Sequence, residues 1–154
     1  MDDYSQFGDH WTGQVSAAYV LRSIGTTLRA GYGTAFKAPT LNDLFISFPP
    51  FFVANPNLSP ERSRTWEAGL EQRLFGNRIV LSGTYYYTRF TDLIATDFSV
   101  FPSTPQNIGS SRSEGVEAAL EIRPVDGLTL KGTYTFTEAI NLITRQPLLR
   151  RPKQ

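Results

Sequence analysis

The chain has no cysteine and only one histidine. Without cysteine there are no disulfide staples, thiolate metal sites or cysteine nucleophiles, and the redox compartment is left open. His10 stands alone in a polar N-terminal stretch, so neither a histidine-dependent triad nor a multi-histidine metal site can be assembled within the chain. A dominant charge is lacking too. Fifteen basic residues stand against fourteen acidic ones, and neither sign forms a block able to track a phosphate backbone, which argues against nucleic acid as a partner. No apolar run approaches the roughly 20 residues of a spanning helix, so any passage through a membrane has to be made by strands. The opening Met1-Asp2-Asp3-Tyr4-Ser5 has neither the basic nor the apolar region of an export signal. For a membrane destination, such a signal is expected upstream.

What the chain does have is a period of two, recurring in six segments of about ten residues, the length of a tilted transmembrane strand. Trp11, Gly13, Val15, Ala17, Tyr19 and Leu21 fall on one face of the first, and Leu28, Ala30, Tyr32 and Phe36 on one face of the second. The third sets Trp66, Ala68, Leu70 and Leu74 against Thr65, Glu67, Gly69, Glu71 and Arg73. Ile79, Leu81, Tyr85 and Tyr87 mark the fourth, Val116, Ala118, Leu120 and Ile122 the fifth, and Leu128, Leu130, Tyr134 and Phe136 the sixth. The connections alternate in length. Ser23-Ile24-Gly25, Phe75-Gly76-Asn77 and Pro124-Val125-Asp126-Gly127 have hairpin-turn chemistry, while the stretches from about Ala38 to Arg62 and Asp92 to Ser111 are long and irregular. Short turns at one end and long loops at the other are the organisation of an outer-membrane barrel, with turns in the periplasm and loops outside.

A soluble sandwich or lipocalin-like barrel alternates in the same way, so periodicity alone does not choose between them. The placement of the aromatics does. With strand directions set by the loop alternation, Trp11, Tyr32, Phe36, Trp66, Tyr85, Tyr87, Tyr134 and Phe136 all gather toward the long-loop end, whereas aliphatics dominate the same face near the turns. A soluble core has no reason to segregate its rings; a surface facing outer-membrane lipid does, because Trp and Tyr favour the headgroup interface. The opposite face would line a lumen with Arg29, Glu67, Glu71, Arg73, Glu117, Glu121, Arg123 and Lys131, most simply as a solvated or mutually paired wall. Six strands fall short of the roughly eight that close the smallest such barrels, so the chain is expected to be part of a larger barrel or to self-associate.

Several ordered motifs resemble TonB-dependent outer-membrane receptors: Gly31-Tyr32-Gly33-Thr34-Ala35-Phe36-Lys37-Ala38-Pro39-Thr40-Leu41-Asn42-Asp43-Leu44-Phe45, then Asn55-Pro56-Asn57-Leu58-Ser59-Pro60-Glu61 leading into Trp66-Glu67-Ala68-Gly69. Tyr85-Tyr86-Tyr87-Thr88-Arg89-Phe90-Thr91-Asp92-Leu93-Ile94, Asn107-Ile108-Gly109, Glu114-Gly115-Val116-Glu117 and the closing Arg150-Arg151-Pro152-Lys153 follow in order. The resemblance implies a plugged barrel of about 22 strands that imports siderophores, vitamin B12 or similar scarce solutes with energy relayed by TonB. Plug, TonB box, earlier strands and closing strand do not occur in this sequence. The resemblance therefore places residues 1–154 as a partial outer-membrane barrel domain from the later part of such a receptor, coupled to TonB only through a plug it does not itself contain.

No enzyme constellation is legible. Glu67 and Glu71, or Glu117 and Glu121, sit four residues apart along a strand, about 13 Å, too far for a paired acid and base. Asp2, Asp3 and Asp9 are scattered acids expected to be solvated rather than to hold a metal, and no cofactor is implied. Phe48-Pro49-Pro50-Phe51-Phe52 is the most conspicuous loop feature. By analogy with receptors that grip ligands with outer loops, Phe48, Phe51 and Phe52 are the candidate contacts to a small molecule or metal chelate. The reading is thus an all-β antiparallel transmembrane barrel wall from an importing receptor, with an autonomous or oligomeric small pore or binding barrel as the alternative.

Overall fold

A computed structural model describes residues 2–4 and 8–148. Among the described residues ten strands and one short helix follow in order: β1 (Asp2–Tyr4), β2 (Gly8–His10), β3 (Gln14–Leu21), β4 (Thr26–Lys37), α1 (Leu41–Phe45), β5 (Glu61–Leu74), β6 (Ile79–Thr91), β7 (Ile94–Asp97), β8 (Thr104–Asn107), β9 (Ser110–Ile122) and β10 (Leu130–Asn141). Six of them form one antiparallel sheet in the order β10-β9-β6-β5-β4-β3, and the pairs β1-β2 and β7-β8 stand apart from it. The six expected strands are therefore the six strands of the sheet.

Turn chemistry sets the hairpins. Gly25 takes φ +68° in the turn from β3 to β4, and its carbonyl accepts from the Arg73 amide of β5 at 2.8 Å. A side chain there would bring its Cβ to 2.6 Å from the Arg73 carbonyl oxygen, so glycine answers two demands at once. Phe75, Gly76 and Asn77 carry positive φ through the next turn, and Gly127 does so before β10.

Three expectations are corrected. Trp11 precedes β3 rather than opening it, although the Gly13 carbonyl still accepts from the Thr34 amide at 2.9 Å. The ladders of β5, β6, β9 and β10 run on to Glu61, Thr91, Ser110 and Asn141, beyond the expected strand ends, because at the long-loop rim charged and hydroxyl residues interrupt the apolar alternation while pairing continues. The stretch after Ala38 is not wholly irregular: Thr40 caps α1 in a reciprocal capping box with Asp43. The motif Arg150-Arg151-Pro152-Lys153 lies outside the described residues.

The buried core is minimal. Leu44 and Leu58, each 3% exposed, are the buried hydrophobics among the described residues, and both belong to the long-loop end. On the sheet, Val15 and Tyr19 are about two-thirds exposed, and Leu28, Trp66, Leu70 and Tyr134 are exposed as well. A soluble sandwich would cover these side chains with a second sheet, and among the described residues no second layer lies against them. The apolar face is a surface looking for an apolar solvent. β3 and β10 each have one sheet neighbour, so the chain forms an open wall rather than a closed monomeric barrel.

Candidate functional site

The register assigns each strand residue to a face, since directly opposed residues point the same way. Arg29 pairs with Gly69, Gly31 with Glu67 and Thr27 with Glu71; Arg73 pairs with Val80, which pairs with Glu121 and on to Lys131; Thr84, Glu117 and Thr135 share a row. These charged strand residues thus occupy a single face, opposite the aromatic one. Arg123 follows β9 and reaches the same cluster through Glu121.

On that polar face two carboxylates act as hubs near the short turns. Glu71 receives Arg29 at 3.2 Å and Arg73 at 2.9 Å. Glu121 receives Lys131 at 3.1 Å and Arg123 at 2.6 Å. The basic partners are more than half exposed, so each pair contributes at most about 1 kcal/mol and the hubs are better seen as a hydrated charged wall than as a stabilising core. Glu67 lies over Gly31, its partner on β4, where there is no side chain to displace it.

Farther along the same face, Tyr86 crosses β9 at Gly115 and shares a 2.6 Å hydrogen bond with Thr137 of β10. A Cβ at position 115 would run into the Phe136 carbonyl and come within 2.7 Å of the Tyr86 hydroxyl. This three-strand strap was not foreseen. The only hint is a glycine in register between a tyrosine and a threonine, which requires knowing that β6, β9 and β10 are neighbours.

On the opposite face, Trp66 stacks on Tyr87 with ring centroids 5.6 Å apart and leans on Tyr85 at 5.3 Å. Tyr32, Trp66 and Tyr87 share one register row, Tyr85 and Phe136 the next toward the turns, and Tyr134 the one after. Phe36 lies two rows the other way, opposite Arg62. The rings therefore do not share a row as the sequence reading had them share a level; they step across rows in one direction from β4 to β10. Strands in a barrel tilt by about 35–45° with staggered register, so a level belt has to cross the rows obliquely in this way.

At the long-loop end, residues 38–60 and 92–109 form one built unit. Val53 donates to Ser103 and Ser103 back to Phe51, both at 3.0 Å; Asn55 reaches the Pro105 carbonyl at 3.0 Å. Asn107 holds three groups, accepting from the Ser59 amide at 2.9 Å and donating to the carbonyls of Ser59 at 2.9 Å and Asp92 at 2.7 Å. Glu61 at the head of β5 accepts the Ile94 amide at 3.0 Å. Pro105, Leu44 and Leu58 are buried beneath.

The candidate phenylalanines divide on this unit. Phe48 and Phe51 are exposed, while Phe52 is half-buried and its backbone bridges both Phe48 and Ser103. Phe51 meets Phe101 of the second loop edge to face at 6.3 Å, and Phe98 and Phe101 are also exposed. Phe98 and Phe101 escaped the sequence reading, although Phe101-Pro102 repeats the Phe48-Pro49 pairing of the first loop. Among the described residues no group of three or more His, Asp or Glu could hold a metal ion.

An open antiparallel wall with one apolar face, one charged face, short turns at one end and packed loops at the other is a segment of a membrane β-barrel. The chain belongs to the TonB-dependent receptor-like β-barrel family, whose model matches residues 1–154. This is a receptor and transporter family of the bacterial outer membrane, not an enzyme family. Among solved structures it is similar to the siderophore receptor PirA from Pseudomonas aeruginosa, with 27% identity and a TM-score of 0.76 over 89% of this chain and 26% of that one. A mutant of the ferric enterobactin receptor PfeA from Pseudomonas aeruginosa, solved with enterobactin, shares the fold at 22% identity and a TM-score of 0.77, over 92% of this chain and 24% of that one. The copper transporter OprC does so at 20% identity and 0.73, over 89% and 21%. The chain thus spans about a quarter of the length of these proteins.

Proposed function

We propose that these strands are part of the wall of a TonB-dependent receptor that binds and imports a scarce solute such as a metal chelate. The apolar face with its oblique aromatic belt lies against lipid, the face of Arg29, Glu67, Glu71, Arg73, Glu117, Glu121, Arg123 and Lys131 lines the lumen, and the two long loops project outside. Coupling to TonB belongs to a plug domain beyond these residues. The observation that carries the ligand side of this reading is the Phe51–Phe101 contact, which joins two loops into one exposed aromatic tip. Exposed rings cost solvation unless something covers them, and aromatic side chains are the usual anchors of a binding surface. Relatives of the same fold whose names declare siderophore or copper transport support the solute class.

The test is equilibrium binding of ferric enterobactin and a panel of ferric catecholates and hydroxamates to the complete barrel that carries this chain. For whichever chelate binds, Phe51→Ala with Phe101→Ala should weaken Kd by at least about tenfold, about 1.4 kcal/mol. Unchanged affinity in a properly folded variant removes the phenylalanine tip from the site.

A further inference from the structure

Above the aromatic belt the apolar face carries a band of charge. Following the register outward from Trp66 and Tyr87, the next row places Arg64 opposite Arg89 and Arg89 opposite Arg112, and the row after places Arg62 opposite Thr91. On this face of the six-stranded sheet every charged residue lies at the long-loop end: Arg62, Arg64, Arg89, Arg112, Glu114 and Glu138. The turn end has none; Thr26, Gln72, Leu74, Ile79, Ile122 and Leu130 hold the corresponding positions. Arg112 is paired, 3.1 Å from Glu114 and 3.7 Å from Glu138. Arg62, Arg64 and Arg89 are exposed and have no ionic partner among the described residues. They edge a groove of about 600 Å³ that also takes in Trp11, Phe36 and Thr91.

Like charges directly opposed on a sheet repel. Three unpaired guanidinium groups beside a groove, Arg64 and Arg89 one strand step of about 6.6 Å beyond the tryptophan row and Arg62 one step farther, are therefore an anion site at a defined depth. Trp and Tyr rings sit at the headgroup interface, so the depth is that of the lipid phosphates, and the guanidinium fork matches phosphate oxygens two at a time. Trp11 and Phe36, which also line the groove, suit the apolar part of the same molecule. We propose that Arg62, Arg64 and Arg89 bind the phosphate groups of an anionic lipid headgroup in the outer leaflet, so that the receptor wall holds a specific lipid at this position. The proposal rests on the lipid-facing orientation argued above.

The test uses the complete barrel in maltoside micelles and follows binding of bisphosphorylated lipid A and its dephosphorylated counterpart by native mass spectrometry. Arg64→Gln with Arg89→Gln should weaken binding of the phosphorylated lipid about 25-fold, about fivefold per arginine, and leave the dephosphorylated lipid unaffected. Arg22→Gln with Arg78→Gln removes equal charge at the turn end and should change nothing. An equal loss in that control reduces the effect to net charge and overturns the proposal. So does equal binding of the two lipids, or full displacement by inorganic phosphate at matched concentration, which would point to a soluble anion. Retained heat-shifted mobility on SDS gels certifies folding of the variants, and Arg64→Lys with Arg89→Lys should recover part of the affinity. A fluorophore at Ala68→Cys separates the two layers of argument. If brominated acyl chains do not quench it, the orientation fails; if they do and the arginines prove silent, only the lipid site fails.

Discussion

Replacing Gly115 by alanine is the sharpest steric perturbation this wall offers. The added methyl would collide with the Phe136 carbonyl of β10 on one side and stand 2.7 Å from the Tyr86 hydroxyl and 2.8 Å from Cζ on the other. Backbone oxygen cannot swing away as a side chain can, so the β9-β10 ladder must open locally, and Tyr86 must leave its place over β9. Forced overpacking costs about 1–3 kcal/mol, and losing the Tyr86–Thr137 hydrogen bond of 2.6 Å adds about 1 kcal/mol. The expected total is about 2–4 kcal/mol, read from urea midpoints of the complete barrel refolded in lipid vesicles. Tyr86→Phe alone should cost about 1 kcal/mol. In the Gly115→Ala background it should cost little, because the bond it removes is already broken, so the double-mutant cycle should show coupling of about 1 kcal/mol. Strict additivity, or a loss below about 0.5 kcal/mol for Gly115→Ala, the range of an inert surface change, would refute the strap.

Two further outcomes concern the loops. Asn107→Ala removes one acceptor and two donors that join Ser59 and Asp92, so hydrogen exchange across residues 57–60 and 92–95 should accelerate by about ten- to a hundredfold, as expected for the loss of two or more hydrogen bonds near 1 kcal/mol each, with the sheet unaffected. Asp97 titrates below the usual carboxylate range because the Ser99 hydroxyl, and then the Ser99 amide, hydrogen-bond to its charged form. A lowered folded value means the turn gains stability above the unfolded value of about 3.9 and loses it as pH falls through the folded one; Ser99→Ala should move the Asp97 midpoint upward in a carbon-detected NMR titration.

Legibility in the sequence followed the environment of each residue. Where one face meets an apolar medium and the other meets water, as from Trp66 to Leu74 and from Ile79 to Tyr87, alternation was unmistakable and the strands stood where expected. At the outer rim Arg62, Arg64, Arg89, Arg112 and Ser110 interrupt the apolar alternation while the ladders continue, so the strand ends and the arginine row went unread. β7 and β8 have four residues each, too short for a period to register, and they pair through a loop closed by tertiary contacts. α1 has a readable cap in Thr40 and Asp43 but only one turn beyond it. The charged face was legible because Glu67, Glu71 and Arg73 alternate with Trp66, Ala68 and Leu70. The Phe51–Phe101 contact was not, since it joins residues 50 positions apart through a fold that local pattern does not specify.

The central claim is that this sheet separates lipid on one face from water on the other, and a cysteine scan of β5 tests it most directly, since the chain contributes no cysteine of its own. Fluorophores at Ala68→Cys and Leu70→Cys in the complete barrel should be quenched by brominated acyl chains and shielded from aqueous iodide, while those at Glu67→Cys and Glu71→Cys should show the reverse. Equal quenching at all four positions, or lipid contact at 67 and 71, would contradict the account.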